Sequence, residues 1–254
     1  AAALLEPLSV AIHSLNRAAP APGSTALVIG AGTVGLLVAA MARQSGCTFV
    51  TIMDVDEGRV NYAISKGFAT HGYVVPKPFH SSAGTSTPAS SDGAMTPLSS
   101  YSSISDRLDG AKAVAADVLS VARPDMAALE EDEDDGVDVT FECTGKEACM
   151  QTSLYATKPG GKVIMVGMGT PIQTVPLSAA HLREVDILGI FRYANTYQTG
   201  IRLLAGKGAM KLPSLDDMVT HKFKGLAEAK KAFELAGRTV DDEGNLVIKV
   251  VIEA

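Results

Sequence analysis

The apolar positions along this chain change period several times, and each change marks an element. Leu8, Ala11, Ile12 and Leu15 recur at the spacing of one helix face and predict a helix over 8–17. Pro7 suits its first turn, where a missing N–H costs nothing. After the break "APAPGS" (19–24), "TALVIG" (25–30) is a short apolar run that predicts a buried strand. Val34, Leu37, Val38 and Met41 then share one face of a second helix, which Gly46 closes. "CTFVTIMD" (47–54), a helix over 56–67 and "HGYVVP" (71–76) repeat the alternation of strand and helix. The alternation lapses at Lys77 and returns with a helix over 107–122. A strand over 137–142, a helix over 146–157, a "KPGG" turn and strands over 162–167 and 185–191 follow. Two helices, near 196–206 and 225–236, and a last strand over 245–253 complete the reading, and no internal repeat is visible. Strand–helix alternation of this kind predicts an α/β fold: a doubly wound, Rossmann-type parallel sheet with helices on both faces.

Composition explains the lapse. Residues 77–105, "KPFHSSAGTSTPASSDGAMTPLSSYSSIS", are dominated by Ser, Thr, Pro, Gly and Ala. Too little apolar surface is available there to offset the entropy of ordering, so the stretch is expected to be a mobile insertion. "EEDEDDG" (130–136) reads as a solvated acidic loop, since its spacing matches no EF-hand. A net charge of −6 leaves no basic surface for a phosphate backbone, which argues against nucleic acid. The longest apolar run, around Leu36–Ala42, is far short of a membrane span. The start lacks a basic segment and carries Glu6, so it is not read as a signal peptide, and a cytoplasmic protein is expected.

The 3 cysteines, Cys47, Cys143 and Cys149, form no C-x-x-C pair, and the 5 histidines are scattered. No zinc site is expected within these residues. Cys143 has a catalytic-thiol reading, but no base can be assigned to it, and a buried structural thiol is preferred.

"GAGTVG" places Gly30, Gly32 and Gly35 in the G-x-G-x-x-G spacing. Gly30 permits a tight turn, Gly32 lets the backbone approach a pyrophosphate, and Gly35 lets helix and strand pack closely. The helix start then offers N–H groups to phosphates. Asp54 ends the next strand, where a carboxylate can accept from the adenosine ribose hydroxyls and repel a 2′-phosphate. Val55 and Asp56 add no cation, so NAD is favoured over NADP. The alternative reading makes Asp54 only the N-cap of the following helix. The turns "FECTG" (141–145, with Thr144) and "VGMG" (166–169) also end strands, where open parallel sheets bind ligands.

With "EPLSV", "GAGTVG", "MDVDEGR", "ECTG", "GGKVIMVGMG" and "REVDILGIFRYANTY" in this order, the chain resembles zinc-dependent medium-chain alcohol dehydrogenases. The likeness is greatest to the polyol branch, the sorbitol and xylitol (D-xylulose reductase) dehydrogenases. It covers nearly the whole chain except 77–135. It implies that Val34, Asp54, Arg59, Val166, Gly167, Met168, Phe191, Arg192 and Tyr193 contact NAD, and that Glu6, Arg192 and Tyr193 reach the polyol or a zinc-bound water. It implies three parts: a linking helix (1–24) from a GroES-like catalytic domain, the NAD-binding domain (25–193), and a C-terminal segment (194–254) returning to that catalytic domain. The catalytic-domain motifs, a Cys, a His-Glu pair and four closely spaced cysteines, do not occur in these residues. Zinc is therefore expected in the full-length enzyme with its ligands elsewhere, and this chain alone is expected to be inactive. A homo-oligomer is also implied, with "VDILGIF" pairing across a two-fold axis. Two rivals remain: a non-catalytic NAD-binding or interaction module, and a zinc-independent reductase using NADPH.

Overall fold

The computed structural model describes residues 2–76, 103–122, 136–206 and 212–253. Helix α1 (Leu5–Ala18) leads into strand β1 (Thr25–Ile29), helix α2 (Thr33–Gln44), strand β2 (Phe49–Asp54), helix α3 (Glu57–Ser65) and strand β3 (His71–Val74). Helix α4 (Ile104–Ala122), strand β4 (Val137–Glu142), helix α5 (Glu147–Ala156), strand β5 (Thr157–Met165), helix α6 (Leu177–His181) and strand β6 (Asp186–Gly189) form the second half. These six strands make one parallel sheet in the order β3-β2-β1-β4-β5-β6. The order reverses between β1 and β4, which leaves a crevice outside the carboxyl ends of those two strands.

Each central strand divides its side chains between two cores. Ala26 and Val28 of β1 face a cluster with Leu8, Ile12, Leu36 and Leu37, whereas Leu27 and Ile29 face one with Ala115, Val118 and Cys149. This period of two on a strand buried on both faces accounts for the unbroken apolar run "ALVI". Helix α2 lies between the sheet and α1, and every residue from Gly35 to Ala42 is buried. A helix apolar all round requires such a position.

Several boundaries differ from the sequence reading. Helix α1 begins at Leu5, so Pro7 is its third residue, still within the turn that needs no N–H partner. The "KPGG" stretch belongs to β5, whose register against β4 shifts between Val137 and Val139 as Gly160 turns at φ +69°. Of the expected insertion, 77–102 lies outside the described residues, and Ile104 already begins α4. Strand β6 is confined to Asp186–Gly189.

Beyond β6 come helix α7 (Tyr197–Ala205), strand β7 (Val219–Lys224), helix α8 (Ala229–Ala236) and strand β8 (Lys249–Glu253). Strands β7 and β8 pair in parallel as a separate two-stranded sheet. The last strand starts four residues later than expected because 245–248 is otherwise engaged. Asn245 N–H donates to Asp241, Val247 N–H to the Thr239 carbonyl, and Ile248 N–H to Thr220 Oγ1.

Candidate functional site

The glycine turn sits between β1 and α2, as its spacing requires. Gly30 adopts φ +103°, a left-handed backbone open to glycine, and its N–H donates to the Met53 carbonyl at 2.7 Å. Gly32 is the N-cap of α2 and contributes no side-chain cap, and a Cβ placed on it would meet open space. The helical bonding begins with Leu36 N–H donating to the Gly32 carbonyl at 2.9 Å, so the N–H groups of Thr33, Val34 and Gly35 precede the ladder. Gly35 is buried against the Gly30 carbonyl. Val34 packs on the core side of the helix. An open approach at Gly32 ahead of an uncapped helix start fits a pyrophosphate.

Asp54, at the end of β2, ties the turn down. Its Oδ2 accepts from Ala31 N–H at 2.6 Å and its Oδ1 from Asp56 N–H at 3.0 Å. The N-cap of α3 is Asp56, whose Oδ1 accepts from Arg59 N–H at 3.0 Å. Asp54 is thus not the cap of this helix, and the reading that made it one is set aside.

Gly30, Gly32, Asp54, Arg59, Cys143 and Thr144 line one cleft of about 300 Å³. The sequence around Asp54 shows no adjacent cation, yet folding brings Arg59 into the same cleft. The Arg59 Nη2 donates to the Val247 carbonyl at 3.3 Å, and its Nε is buried without a partner among the described residues. Thr33 Oγ1 donates to the Ile248 carbonyl at 2.8 Å, and Thr239 also lines the cleft. The segment before β8 therefore forms part of the cleft wall, a contribution that sequence reasoning missed.

The turns after β4 and β5 meet beside this cleft. Val166 and Gly167 N–H groups both donate to the Glu142 carbonyl at 2.8 Å, and Gln173 Nε2 donates to the Gly145 carbonyl at 3.1 Å. Met168 is 83% exposed. Phe191, Arg192 and Tyr193 follow β6 and lie outside the cleft lining. Arg192 adopts φ +52°, unusual for a side-chain-bearing residue, with its guanidinium 5.5 Å from the Phe191 ring.

Glu6, exposed in the first turn of α1, comes near Tyr193 through a residue the sequence reading left unassigned. The Tyr193 and Tyr197 hydroxyls are 3.0 Å apart, with the rings edge-on at 4.9 Å. The hydrogen bond to Tyr193, then partial desolvation and the charges of Tyr193 and Glu6, raise the Tyr197 pKa. Thr196 Oγ1 fixes α7 to α1 by donating to the Ser9 carbonyl at 3.1 Å.

Burial pushes the thiol of Cys149 up to about 12 and that of Cys47 to about 11, and burial raises Cys143 too. All three are protonated at neutral pH, which removes the thiolate a catalytic cysteine needs. Among the described residues no three His, Cys, Asp or Glu side chains gather in a group able to hold a metal ion. These residues do not fit a zinc site, and no described helix is long and apolar enough to cross a membrane.

Residues 93–206 match the family model described as zinc-binding dehydrogenase. The chain is 35% identical over 236 residues to sorbitol dehydrogenase of Gallus gallus, covering 93% of this chain and 53% of that protein. It is 34% identical over 251 residues to sorbitol dehydrogenase of Arabidopsis thaliana, covering 98% and 55%. The chain is thus similar to a zinc-binding dehydrogenase model over part of its length and to sorbitol dehydrogenases over most of it. It spans about half the length of the curated relatives it matches. An Escherichia coli oxidoreductase/dehydrogenase of unknown specificity superposes with a TM-score of 0.69 at 25% identity, over 99% of this chain and 57% of that one. A putative zinc-binding dehydrogenase of Sinorhizobium meliloti, bound to NADP, superposes with a TM-score of 0.68 at 23% identity, over 99% and 58%. The fold is therefore the Rossmann-type parallel sheet expected from the alternation of strands and helices.

Proposed function

We propose that this chain is the NAD-binding part of an oxidoreductase that moves a hydride between a polyol of sorbitol or xylitol type and NAD. The observation that carries the reading is the Asp54 carboxylate, bonded to the glycine turn at Ala31 and lining the cleft with Gly30 and Gly32. That arrangement supports reading Asp54 as the ribose acceptor and the glycine turn as the pyrophosphate approach, in the crevice where strand order reverses. Bound NAD would supply the hydride acceptor. Gly30, Gly32, Gly35 and Val34 would shape the pyrophosphate turn, and Asp54 with Arg59 the adenosine end. Thr144, Val166, Gly167, Met168, Phe191, Arg192 and Tyr193 would hold the nicotinamide end. Glu6, Arg192 and Tyr193 would orient the polyol, with Glu6 and Tyr193 linked through Tyr197. In this reading residues 25–193 are the cofactor domain, the flanking segments pack against a zinc-bearing catalytic domain, and the enzyme is a cytoplasmic homo-oligomer.

Titration calorimetry with NADH and NADPH tests it. NADH is expected to bind at least tenfold more tightly, because a 2′-phosphate would face Asp54. Equal or tighter binding of NADPH would favour the rival reading, a reductase using NADP(H). Arg59 in the cleft, and the NADP bound by the Sinorhizobium neighbour, are what favour that rival. In a polyol-oxidising form of the protein, Glu6→Ala is expected to lower kcat at least tenfold with NADH affinity unchanged. Unaltered turnover would remove Glu6 from the site.

A further inference from the structure

Glu142 ends β4 with 2% of its surface exposed, and the sequence reading gave it no role. Burying a carboxylate is costly unless every oxygen is satisfied. Its donors come from Thr144 and Gly145, two and three residues further along the chain. Thr144 N–H donates at 2.8 Å, Gly145 N–H reaches both oxygens at 3.1 and 2.9 Å, and the Thr144 hydroxyl also donates. Burial raises the Glu142 pKa, and these bonds pull against it.

The same residue governs the neighbouring turn, because its carbonyl takes both Val166 and Gly167 N–H groups at 2.8 Å. The two turns then interlock. A Cβ on Gly167 would lie 2.6 Å from the Thr144 nitrogen, and one on Gly169 would lie 2.8 Å from Gly145 Cα. A shift of one turn must therefore move the other. Thr144 Oγ1 also accepts from Lys146 N–H at 3.0 Å, which carries the arrangement into the start of α5.

β4 is the first strand beyond the reversal in strand order, on the opposite side of the crevice from β2 and Asp54. If Asp54 takes the adenosine ribose, the turns fixed by Glu142 face the other half of the dinucleotide. We propose that Glu142 is a positioning residue that sets the Thr144–Gly145 and Val166–Gly167 backbones for the nicotinamide half of the cofactor. The proposal rests on the reading of this cleft as a dinucleotide site.

Calorimetry on the full chain with NADH and with AMP separates this role from general stability. Glu142→Gln keeps the volume but replaces one acceptor with an amino group facing N–H donors. It is expected to lower NADH affinity at least tenfold and to leave AMP affinity within about twofold. Unchanged NADH affinity, or equal losses for NADH and AMP, would overturn the proposal. Failure of the unaltered chain to bind either compound would overturn the dinucleotide reading, and the proposal with it. Should the variant not fold, hydrogen exchange on the unaltered chain decides. NADH should add protection at Thr144, Gly145, Val166 and Gly167 that AMP does not, and equal protection by AMP would count against it.

Discussion

Gly35→Ala is expected to cost this chain about 3 kcal/mol of stability together with its dinucleotide affinity, whereas Gly32→Ala should cost the affinity alone. The two positions are three residues apart in one motif, and a methyl group meets opposite surroundings at each. At Gly35 a Cβ would collide with the Gly30 carbonyl oxygen and lie 3.0 Å from its carbon. Both obstacles are backbone, and neither can rotate away. The Gly30 turn is held by the bond to Met53, so either α2 must lift from the sheet or the turn must distort. Each route disturbs Leu36 and Leu37, both with no exposed surface. In a chain of this size about 3 kcal/mol lowers Tm by roughly 6–12 °C.

At Gly32 the backbone is extended, φ −77° and ψ −177°, which any residue adopts. A Cβ there meets nothing within 4 Å, so Tm should stay within about 2 °C. The methyl would occupy the space a pyrophosphate needs, and NADH affinity should fall at least tenfold. Thermal melts and calorimetry on the two variants provide the test. A Gly35→Ala protein melting like the unaltered chain would show that α2 has slack. A Gly32→Ala protein binding NADH normally would mean that the phosphates lie elsewhere.

The first half of the sheet was legible because its signals are local. "GAGTVG" follows a strand and opens a helix, and Asp54 ends the next strand. What escaped depends on contacts far apart in sequence. Glu142 looks like an ordinary acid at a strand end until Gly167 and Gly169, from another strand's turn, close on Gly145. Tyr197 stands in plain view within "FRYANTY", yet its place beside Tyr193, where it feels the Glu6 charge, follows from α7 packing on α1. Strand β7 reads "VTHKFK", an alternation too short and too rich in lysine to stand out, and its parallel partner β8 comes about thirty residues later. Nor does any local pattern foretell that Val247 and Ile248 would meet Arg59 and Thr33.

Asp54 carries the largest expected change in cofactor choice, and the structure determines which substitution reveals it. Asp54→Ala removes two acceptors at once. Ala31 has no exposed surface, so its N–H would be left buried without the partner it now has at 2.6 Å. An orphaned buried donor costs about 2 kcal/mol, and the loosened glycine turn should weaken NADH and NADPH alike. A narrowed preference in that variant would mix lost ribose contacts with a lost turn. Asp54→Asn separates them. Its remaining oxygen can still accept from Ala31 N–H, while Asp56, partly open to solvent, can turn its N–H to water. Stability should then stay within about 1 kcal/mol of the unaltered chain, against about 2 kcal/mol lost in Asp54→Ala. The negative charge that would face a 2′-phosphate is gone, and Arg59 in the same cleft is free of that opposition. NADH affinity should fall about tenfold through the weaker ribose contact, NADPH affinity should rise, and their ratio should shrink at least thirtyfold. Calorimetry with both cofactors on Asp54→Asn reads that ratio directly. If the ratio is unmoved while the protein remains folded, Asp54 serves the glycine turn alone and the choice between cofactors is made by other residues.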